Sequence, residues 1–539
     1  MSNIEIAKEI AKRVSEKGGQ AYYVGGYVRD TLMGKVNKDI DLEIYGIPED
    51  ELKNILKDVS GNEVSLVGKS FGVYKLNGID IALPRKEIKT GNKHTDFKVI
   101  VDPFMSPKEA LKRRDFTMNA ILASVLTNDI IDPYNGINDI ADKVIRCVDK
   151  NTFIEDPLRV YRAAQFAARF DFKLDRDLVE LCKKIDLSSL SEERVYEEMK
   201  KALLKASVDA KDVDAVSSVH YASLSTEEKM IKNNIFSHKG PANFFWTLKE
   251  LDQLKTHFKE IDDLIACPQD PKYHPEGLEC NAFEHTMVAL NKASSCCNNI
   301  DKNNIMDKEC FMIGALCHDL GKPITSKYNE EKGRWTNWDH DKAGVEITKG
   351  FLRRLKASNK VINYAATMTA EHMKLYNLFN NRQFSPYISN PDLSFSADTM
   401  SEKQKKSSRK VLDDLSNLLD EISFACVCDS AKGGMEDIAK IKILTECVLD
   451  YSNRIKEMNK TPLIFSDIER FGYVGPANMI GDVLKEIRKQ WLLHDVNKDE
   501  AIKMVVGSSK YKEYWDPHKE IDKDINEDID EEEELEIGD

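Results

Sequence analysis

The sequence predicts an α+β protein in which an N-terminal mixed-sheet domain is followed by domains that are almost entirely helical. Three observations predict this class. Residues 20–150 alternate β-branched, strand-like runs with turn signals. From Asp156 onward, residues of similar character recur at three- and four-residue spacing, which is the period of an amphipathic helix. The length of 539 residues also exceeds what one hydrophobic core supports, so about three to four domains are expected.

Changes in pattern and composition divide the chain into predicted segments. The Pro- and Gly-rich stretch at residues 266–277 marks one boundary, and a weaker one lies near residues 432–434. The last segment is predicted to be a disordered acidic tail, because it lacks the apolar content that would offset the entropy of ordering. The predicted segments are residues 1–150, 151–265, 266–434, 435–515 and 516–539.

The formal charge of −14 at first argues against a nucleic-acid partner, since phosphate binding needs a positive surface. Residues 516–539 hold 13 acidic residues and two lysines, so they carry −11 and leave −3 for the rest. A body that is nearly neutral can still carry a basic groove. Net charge therefore does not exclude RNA.

The composition predicts a protein that stays in the cytoplasm and does not enter a membrane. No run of about 18 apolar residues is present, and the N-terminal residues read as an amphipathic helix without the apolar core of a signal peptide. The 11 cysteines show no repeated metal-ribbon spacing, which is typical of reduced, buried thiols.

The first motif is a glycine pair that follows a strand pattern. Gly25 and Gly26 precede Arg29 and a short helical piece, an arrangement in which backbone N–H groups can hold phosphates. A tight β-turn without ligand is the alternative for a bare glycine pair.

The next strand carries two acids. Asp39 and Asp41 share one face of the strand, because side chains repeat direction every second residue. Neighbouring carboxylates repel unless a cation lies between them, and a hard ion such as Mg²⁺ prefers carboxylate oxygens and phosphates. Asp80 alternates in the same way on a later strand and either joins the pair or is an ordinary polar strand residue. The residues expected to face the core are Ile40, Leu42 and Ile44.

A third cluster, Arg113–Ala120, is expected to form one or two helical turns. Arg113 and Asp115 with Asn119 offer forked donors for phosphate oxygens, and acceptors and donors for sugar hydroxyls. A surface helix with paired charges is the alternative.

The fourth cluster begins the helical part of the chain. Asp156, Arg159 and Arg162 fall on one helix face at spacings of three, just after Glu155. An acid beside a guanidinium can read the edge of a base without a nucleic-acid template. An intrahelical salt bridge is the alternative.

A separate set of residues points to a second metal site. His285, the adjacent pair His318 and Asp319, and the distal Asp429 all lie on helix-like segments and can converge on one metal with open positions for water. A structural role is the alternative for any single histidine.

Both sets of motifs resemble known families. GGYVRDTLMG, DID, RRDFTMNA, DPYNGINDI and EDPLRVYRAAQFAARF occur in order over roughly the first 170 residues, which resembles class II CCA-adding enzymes and bacterial poly(A) polymerases. CHDLGK resembles the HD phosphohydrolases, and HPEG resembles the opening of the HD domain in bacterial CCA-adding enzymes. The C-terminal helices resemble the helical module of these fused enzymes more loosely.

The resemblance implies template-independent addition of CCA to the 3′ end of tRNA from CTP and ATP, with Mg²⁺. It implies a nucleotidyltransferase domain, a helical neck and body, an HD domain and a C-terminal module, in that order. Asp39 and Asp41 would bind the catalytic metals, and Asp132 to Gly136 would form the element that switches between nucleotides. The implied nucleotide-binding residues are Gly25, Gly26, Arg29, Arg113, Asp115, Asn119, Glu155, Asp156, Arg159 and Arg162.

The implied HD site would hydrolyse phosphate monoesters and 2′,3′-cyclic phosphates with a second divalent metal. Its ligands would be His285, His318, Asp319 and Asp429, with His340 and His372 as optional extra ligands. Two alternatives stay open from the sequence. One is a poly(A) polymerase, or an enzyme that adds only part of CCA, and the other is a nonenzymatic RNA-binding scaffold.

Overall fold

A computed structural model describes residues 2–61, 66–67, 72–89, 97–217, 219–272, 274–299, 307–379, 399–414, 435–516 and 518. The chain forms two compact units. The first comprises Met1–Val213 with Met230–Ala366, and the second comprises Asp214–Lys229 with Thr367–Asp539. The four-domain division by motif stays a prediction. Asp429, the boundary at residues 432–434 and nearly all of the acidic tail lie outside the described residues.

The strands of the described chain are concentrated before residue 146, as the sequence predicts. They are β1 (Gln20–Val24), β2 (Ile40–Tyr45), β3 (Leu66–Val67), β4 (Val73–Leu76), β5 (Ile79–Ala82), β6 (Arg85–Lys89), β7 (Phe97–Val101), β8 (Leu122–Ser124), β9 (Ile130–Ile131), β10 (Val144–Ile145), β11 (Lys173–Leu174), β12 (Lys327–Asn329) and β13 (Arg334–Thr336). Three short strands, β11 to β13, follow Asp156 and belong to two-stranded sheets, while most of the described chain after that residue is helical, as predicted.

A mixed sheet forms the centre of the N-terminal region, with strand order β3-β4-β5-β2-β1-β8-β9 among the described residues. Neighbouring strands are antiparallel except β2 and β5, which run parallel with Asp41 opposite Asp80. The turn at Asn77 and Gly78 joins β4 to β5, and both residues have positive φ. The parallel pair at the centre of the sheet thus brings two aspartates of distant strands to the same level.

Alternation along the strands divides their side chains between two cores. Tyr23 and Leu42 pack into a buried cluster with residues of the N-terminal helix, whereas Tyr22 and Val24 pack into a second cluster with Leu122. Ile40, Leu42 and Ile44 all lie in the first cluster, as predicted. The acidic residue between Ile40 and Leu42 therefore faces away from that core.

Helices make up most of the remaining described chain. They are α1 (Asn3–Glu16), α2 (Gly26–Leu32), α3 (Glu49–Ser60), α4 (Pro107–Leu111), α5 (Gly136–Ala141), α6 (Lys150–Phe153), α7 (Leu158–Phe170), α8 (Arg176–Cys182), α9 (Glu192–Lys205), α10 (Ala210–Ser217), α11 (Val219–Ala222), α12 (Thr226–Ser237), α13 (Asn243–Glu250), α14 (Leu254–His257), α15 (Lys259–Asp262), α16 (Ala282–Asn299), α17 (Lys308–Cys317), α18 (Lys322–Thr325), α19 (His340–Arg354), α20 (Asn359–Phe379), α21 (Glu402–Asp414), α22 (Met435–Lys460), α23 (Phe465–Arg470), α24 (Ile480–Leu493) and α25 (Lys498–Val506). Short 3₁₀ turns occur at Thr117–Asn119, Gly240–Ala242, Asp263–Ala266, Ala477–Met479 and Lys512–Tyr514. Within the described chain, every helix is too short or too polar to cross a membrane.

Packed helices follow the sheet region within the first unit. Helix α7 packs against α9 and α13, and α16 packs against α17. Tyr161 on α7 is fully buried among aromatic rings, and its hydroxyl lies 2.7 Å from Nδ1 of His257. Helix α7 is thus held on several sides, which fixes the residues that its remaining face presents.

In the second unit, α24 packs against α25 over a core that includes Tyr473 and Trp515.

Candidate active sites

A cavity of about 300 Å³ in the first unit brings together residues from the sheet, from three helices and from the segment Arg114–Asn119. We call it the arginine-lined cavity. Because β2, the start of α2, α7 and α9 all contribute, segments distant in sequence meet there. Its lining residues are Gly25, Gly26, Arg29, Asp41, Arg114, Asp115, Asn119, Arg162, Gln165, Phe166, Arg169, Lys201 and Lys205.

Asp39 and Asp41 differ in exposure, and only Asp41 lies within the strand on which both were predicted. Asp41 is half-buried within β2, whereas Asp39 precedes the strand and is exposed, with its backbone N–H donating to Asn37 Oδ1 at 3.0 Å. Burial raises the pKa of Asp41, and the charges of Asp80 and Asp39 raise it further, while Arg114 lowers it. Carboxylates that repel in this way, with oxygen donors only, are a suitable set for a hard divalent ion. These residues could hold a metal.

The glycine pair lies at the opening of α2, next to Asp41. Gly25 has φ +69°, and a Cβ there would lie 3.3 Å from Arg114 Nη1 and 3.8 Å from Asp41 Oδ2. Arg29 is buried one turn later, where its Nη1 donates to Asn119 Oδ1 at 2.6 Å. Gly25 lies in the turn before α2, Gly26 is the first residue of the helix, and both line the cavity.

The expected helix over Arg113–Ala120 is wrong. Helix α4 ends at Leu111, before this segment. The only helical turn within Arg113–Ala120, all of which the structure describes, is the 3₁₀ turn Thr117–Asn119, which is buried. Arg113 donates from Nη2 to Glu43 Oε1 at 2.9 Å, and Glu43 is 1% exposed. The neighbouring Arg114 lines the cavity instead. Hydrophobic burial of Phe116 and its neighbours overrides the helical propensity of the segment.

Asp115 is the centre of a buried network. Its Oδ2 accepts from Nε and Nη2 of Arg162 at 2.8 and 2.6 Å, and its Oδ1 accepts from Asn119 Nδ2 at 2.9 Å. Burial opposes ionisation, but the charge of Arg162 and the bond from Asn119 outweigh it and lower the pKa of Asp115. The guanidinium of Arg162 also lies 5.5 Å from the centre of the Phe166 ring. The pair is held together by two hydrogen bonds at the cavity wall.

The other residues of the fourth motif do not form the salt bridge considered as an alternative. Asp156 lies before α7 and accepts from Arg194 Nη2 at 3.3 Å. Arg159 donates from Nη1 to the Thr152 carbonyl and from Nη2 to the Arg113 carbonyl, both at 2.7 Å. Its guanidinium therefore ties the start of α7 to the segment that carries Asp115. Glu155 is partly buried in the turn between α6 and α7.

Sequence reasoning missed several residues of the cavity wall. Arg169 follows Arg162 at a spacing of seven on α7, and Lys201 and Lys205 lie four apart on α9. Helical spacing from Arg162 points to Arg169 and the nearby Gln165 and Phe166, because residues three, four and seven apart share a face. No signal in the sequence pairs the α9 lysines with this face, since that depends on how α9 packs against α7.

The segment predicted as a switching element has a defined geometry. Asp132 accepts from the backbone N–H of Gly136 at 2.8 Å and of Ile137 at 2.9 Å. A Cβ on Gly136 would lie 2.2 Å from the Thr117 carbonyl oxygen, so only glycine allows this approach. The segment thus packs directly on the turn that carries Asn119.

Three of the second set of predicted ligands lie close to one another and to His340, on α16, in the turn after α17 and at the start of α19. We call His285, His318, Asp319 and His340 the histidine cluster. Nε2 of His285 and of His318 each lie 3.2 Å from Asp319 Oδ2 and 3.3 Å from one another. His340 Nε2 lies 3.3 Å from Asp319 Oδ1, and all four residues are buried. Because three rings turn the same nitrogen toward one carboxylate, a purely structural role for each histidine does not explain the arrangement.

The donor set of the histidine cluster suits a divalent metal. His318 Nδ1 lies 2.7 Å from the Ala315 carbonyl oxygen, and His340 Nδ1 lies 2.7 Å from the Asn337 carbonyl oxygen. An acceptor at Nδ1 holds the proton there and leaves Nε2 as a lone pair. Nε2 of His318 lies 3.3 Å from Nε2 of His285, a separation that suits two ligands of one ion at about 2.0–2.1 Å from each. These residues could hold a metal.

Two further residues shape this cluster. Lys322 Nζ lies 2.6 Å from Asp319 Oδ2 in a buried position, and the charges of His318 and Lys322 hold the pKa of Asp319 well below its usual range although burial opposes this. A Cβ on Gly321 would lie 2.0 Å from the His340 carbonyl oxygen. Gly321 therefore permits the close approach that sets His340 opposite Asp319.

Two other predicted ligands are not assigned to this cluster. Asp429 lies outside the described residues. His372 belongs to the second compact unit, where it is buried on α20 with Nδ1 2.9 Å from the Thr369 carbonyl oxygen.

Comparison with known proteins gives matches over both regions. Residues 21–146 match the family described as Poly A polymerase head domain, and residues 282–417 match the HD domain family. The Multifunctional CCA protein of Pasteurella multocida (strain Pm70) is 32% identical over 370 residues, which cover 67% of this chain and 76% of that protein. The Multifunctional CCA protein of Haemophilus influenzae (strain PittGG) is 31% identical over 371 residues, with coverages of 67% and 76%.

Solved structures agree in fold. A structure described as CCA-adding enzyme apo form II has a TM-score of 0.55 at 20% identity, covering 93% of this chain and 95% of its own. The Thermotoga maritima CCA-adding enzyme complexed with tRNA has a TM-score of 0.53 at 18% identity, with coverages of 93% and 94%. At these identities the likeness concerns the fold alone.

Proposed function

This chain belongs to the multifunctional CCA protein family, and on that premise we propose that it adds CCA to the 3′ end of tRNA without a nucleic-acid template. The donors are CTP and ATP, and pyrophosphate is released. One observation carries the proposal: Asp41 of the sheet, Asp115 with Arg162, and the lysines of α9 line the same cavity. This supports the proposal because the transfer needs an acid for a cation, cations for phosphates and an acid–guanidinium pair for a base.

The reaction needs the tRNA 3′-hydroxyl to attack the α-phosphate in line with the departing pyrophosphate. Asp39 and Asp41 would hold Mg²⁺, which neutralises phosphate charge and activates the hydroxyl when bound. Arg114, Lys201 and Lys205 present further positive charge to the triphosphate. Positioning and charge neutralisation account for most of the rate in such transfers.

Base selection is assigned to the fixed network around Asp115. Arg162 is bound to Asp115 through two nitrogens, so the plane of its guanidinium is set before a nucleotide arrives. Arg159 supports this arrangement from behind, because it binds the carbonyl of Arg113, two residues before Asp115. Gly25 and Gly26 let the chain pass close to the phosphates, and Arg29 holds Asn119.

The histidine cluster is proposed as a phosphohydrolase site for phosphate monoesters and 2′,3′-cyclic phosphates, which would suit repair of tRNA ends. His285, His318 and Asp319 would hold a divalent metal, which supplies a bound water for hydrolysis. Lys322, held against Asp319, keeps positive charge beside the site.

The described cysteines are free thiols, which supports a cytoplasmic setting.

The decisive assay uses a tRNA transcript that lacks its last three nucleotides. With CTP alone we expect two C additions, with ATP alone no extension, and with both nucleotides complete CCA. A tails formed from ATP alone would instead identify a poly(A) polymerase, and a product that stops at CC with both nucleotides would identify a partial enzyme. Absence of extension with every nucleotide would revive the nonenzymatic alternative, and an Asp41→Ala protein that extends as well as the parent would remove Asp41 from the catalytic site.

A further inference from the structure

The three imidazoles of the histidine cluster are oriented by different kinds of acceptor. His318 and His340 lie at helix ends, where the carbonyl oxygens of Ala315 and Asn337 are within 2.7 Å of Nδ1. His285 lies inside α16, and the backbone carbonyl four residues before it already accepts the His285 N–H. A backbone carbonyl can serve even within a helix, as for His372 on α20, but Nδ1 of His285 faces a side-chain acceptor.

That acceptor is the carboxylate of Glu276, nine residues earlier. Glu276 Oε1 lies 2.9 Å from His285 Nδ1 and 3.4 Å from His274 Nδ1, and Glu276 is 2% exposed. Its Oε2 is buried with no hydrogen-bond partner in the described part of the chain. Burying a carboxylate costs free energy, and the short contact with His285 Nδ1 is the stronger of the two ring contacts that offset this cost.

The loop that carries Glu276 is itself fixed. Asn233 Nδ2 donates to the Pro275 carbonyl at 2.7 Å, and the backbone N–H of Glu279 donates to Glu284 Oε2 at 2.9 Å. A Cβ on Gly277 would lie 2.1 Å from the Glu284 carboxylate carbon, so the loop packs closely on α16. Glu276 is therefore held on the side of His285 opposite to Asp319.

We propose that Glu276 is the positioning residue of the histidine cluster, holding His285 with its proton on Nδ1 and its Nε2 lone pair toward His318 and Asp319. This inference rests on the proposed metal-dependent function of that cluster. Glu276 touches neither the metal nor the substrate and acts only through His285. A carboxylate behind a histidine ligand both orients the ring and raises its basicity, and its loss commonly lowers metal affinity by about 10- to 100-fold.

The test measures binding of Co²⁺ to the metal-stripped full chain, by calorimetry and by the visible absorption of bound cobalt. All proteins carry Asp39→Asn and Asp41→Asn, so that the histidine cluster is the site being counted. We expect the parent to bind one Co²⁺ and Glu276→Gln to bind it about 10- to 100-fold more weakly. The matched control is Glu279→Gln, which removes an exposed carboxylate from the same loop and should leave the affinity unchanged.

Two further variants separate positioning from a general effect on folding. In a His285→Ala background, Glu276→Gln should change Co²⁺ affinity less than about twofold, because the ring through which it acts is gone. Glu276→Asp keeps the charge and should recover part of the lost affinity. The melting temperature of each metal-free variant tests for a purely structural role of Glu276. Such a role would lower the melting temperature of Glu276→Gln but leave its Co²⁺ affinity like that of the parent.

Each outcome decides between ideas. Parental affinity in Glu276→Gln, or full additivity with His285→Ala, overturns the positioning role while the proposed hydrolase site stands. Two Co²⁺ per parent chain, one of them lost in Glu276→Gln, makes Glu276 a ligand of a second ion and also overturns it. Failure of the parent to bind Co²⁺ at all removes the proposed metal site itself, and the inference with it.

Discussion

The two candidate sites handle charge in opposite ways. In the arginine-lined cavity, Asp115 is already paired with Arg162, while the pKa of Asp41 is raised; Asp39 is exposed and is not part of the cavity lining. In the histidine cluster, Asp319 is buried among three rings and Lys322. On the proposed function, the nucleotide and its Mg²⁺ complete the first arrangement. The charged groups of the second arrangement already contact one another without substrate. Preorganisation is therefore unevenly distributed within one compact unit.

The largest expected effect separates the two sites completely. Asp41→Ala should lower CCA addition by at least about 10³-fold while leaving hydrolysis of 2′,3′-cyclic AMP intact, because several kcal/mol of phosphate stabilisation are lost at one site only. Asp319→Ala should do the reverse. Incorporation of labelled CTP and release of 2′- or 3′-AMP measure the two activities. Parallel loss of both activities in either variant would contradict the independence of the sites.

A smaller effect tests how closely the histidine cluster is packed. Gly321→Ala places a Cβ 2.0 Å from the His340 carbonyl oxygen and 2.6 Å from the Gly344 backbone nitrogen, so α19 must move. We expect a loss of about 1–3 kcal/mol in stability and a weakened Co²⁺ site. Gly350→Ala, on α19, adds a Cβ in open space and should stabilise the folded protein by about 0.5–1 kcal/mol. Thermal melting with and without Co²⁺ measures both, and equal behaviour of the two variants would refute the close-packing account.

The next effect in size concerns Arg159, which supports the pair Asp115 and Arg162 that we propose for base selection. Arg159→Lys cannot bind the Thr152 and Arg113 carbonyls together in one plane, so the segment before Asp115 should loosen. We expect the preference for correct over incorrect nucleotide to fall about 10-fold, equivalent to about 1.4 kcal/mol. The ratio of kcat/KM values for CTP and UTP measures it. The exposed Arg176→Lys serves as control, and a change in tRNA affinity without a change in this ratio would argue against a supporting role.

The smallest effect is a contribution to acid stability. The pKa of Asp115 is lowered in the folded protein, so the unfolded chain binds the proton more readily. Stability from this carboxylate is present above its ordinary value of 3.8 and is lost as pH falls through the lower folded value, by at most about 1.4 kcal/mol per pH unit. Asp115→Asn should therefore differ most from the parent at neutral pH and converge with it in acid. Melting curves from pH 7 downward show whether the two lines approach.

Much of the fold and part of each site could be predicted from local pattern. Alternation along β2 predicts that Ile40, Leu42 and Ile44 enter the core and that Asp41 faces away, because a strand repeats direction every two residues. Helical spacing predicts α7, and the HD motif names His318 and Asp319. These features depend on neighbours within a few residues, which the sequence displays directly.

Only the tertiary structure decided which partner each charged group takes. Arg113 turns to Glu43, Arg114 to the cavity, Arg162 to Asp115 and Arg159 to backbone carbonyls, although all four arginines look alike in the sequence. The lysines of α9 join the cavity for the same reason. A guanidinium pairs with whatever acceptor the packing of distant elements brings within about 3 Å, and that distance is set by the buried cores between those elements.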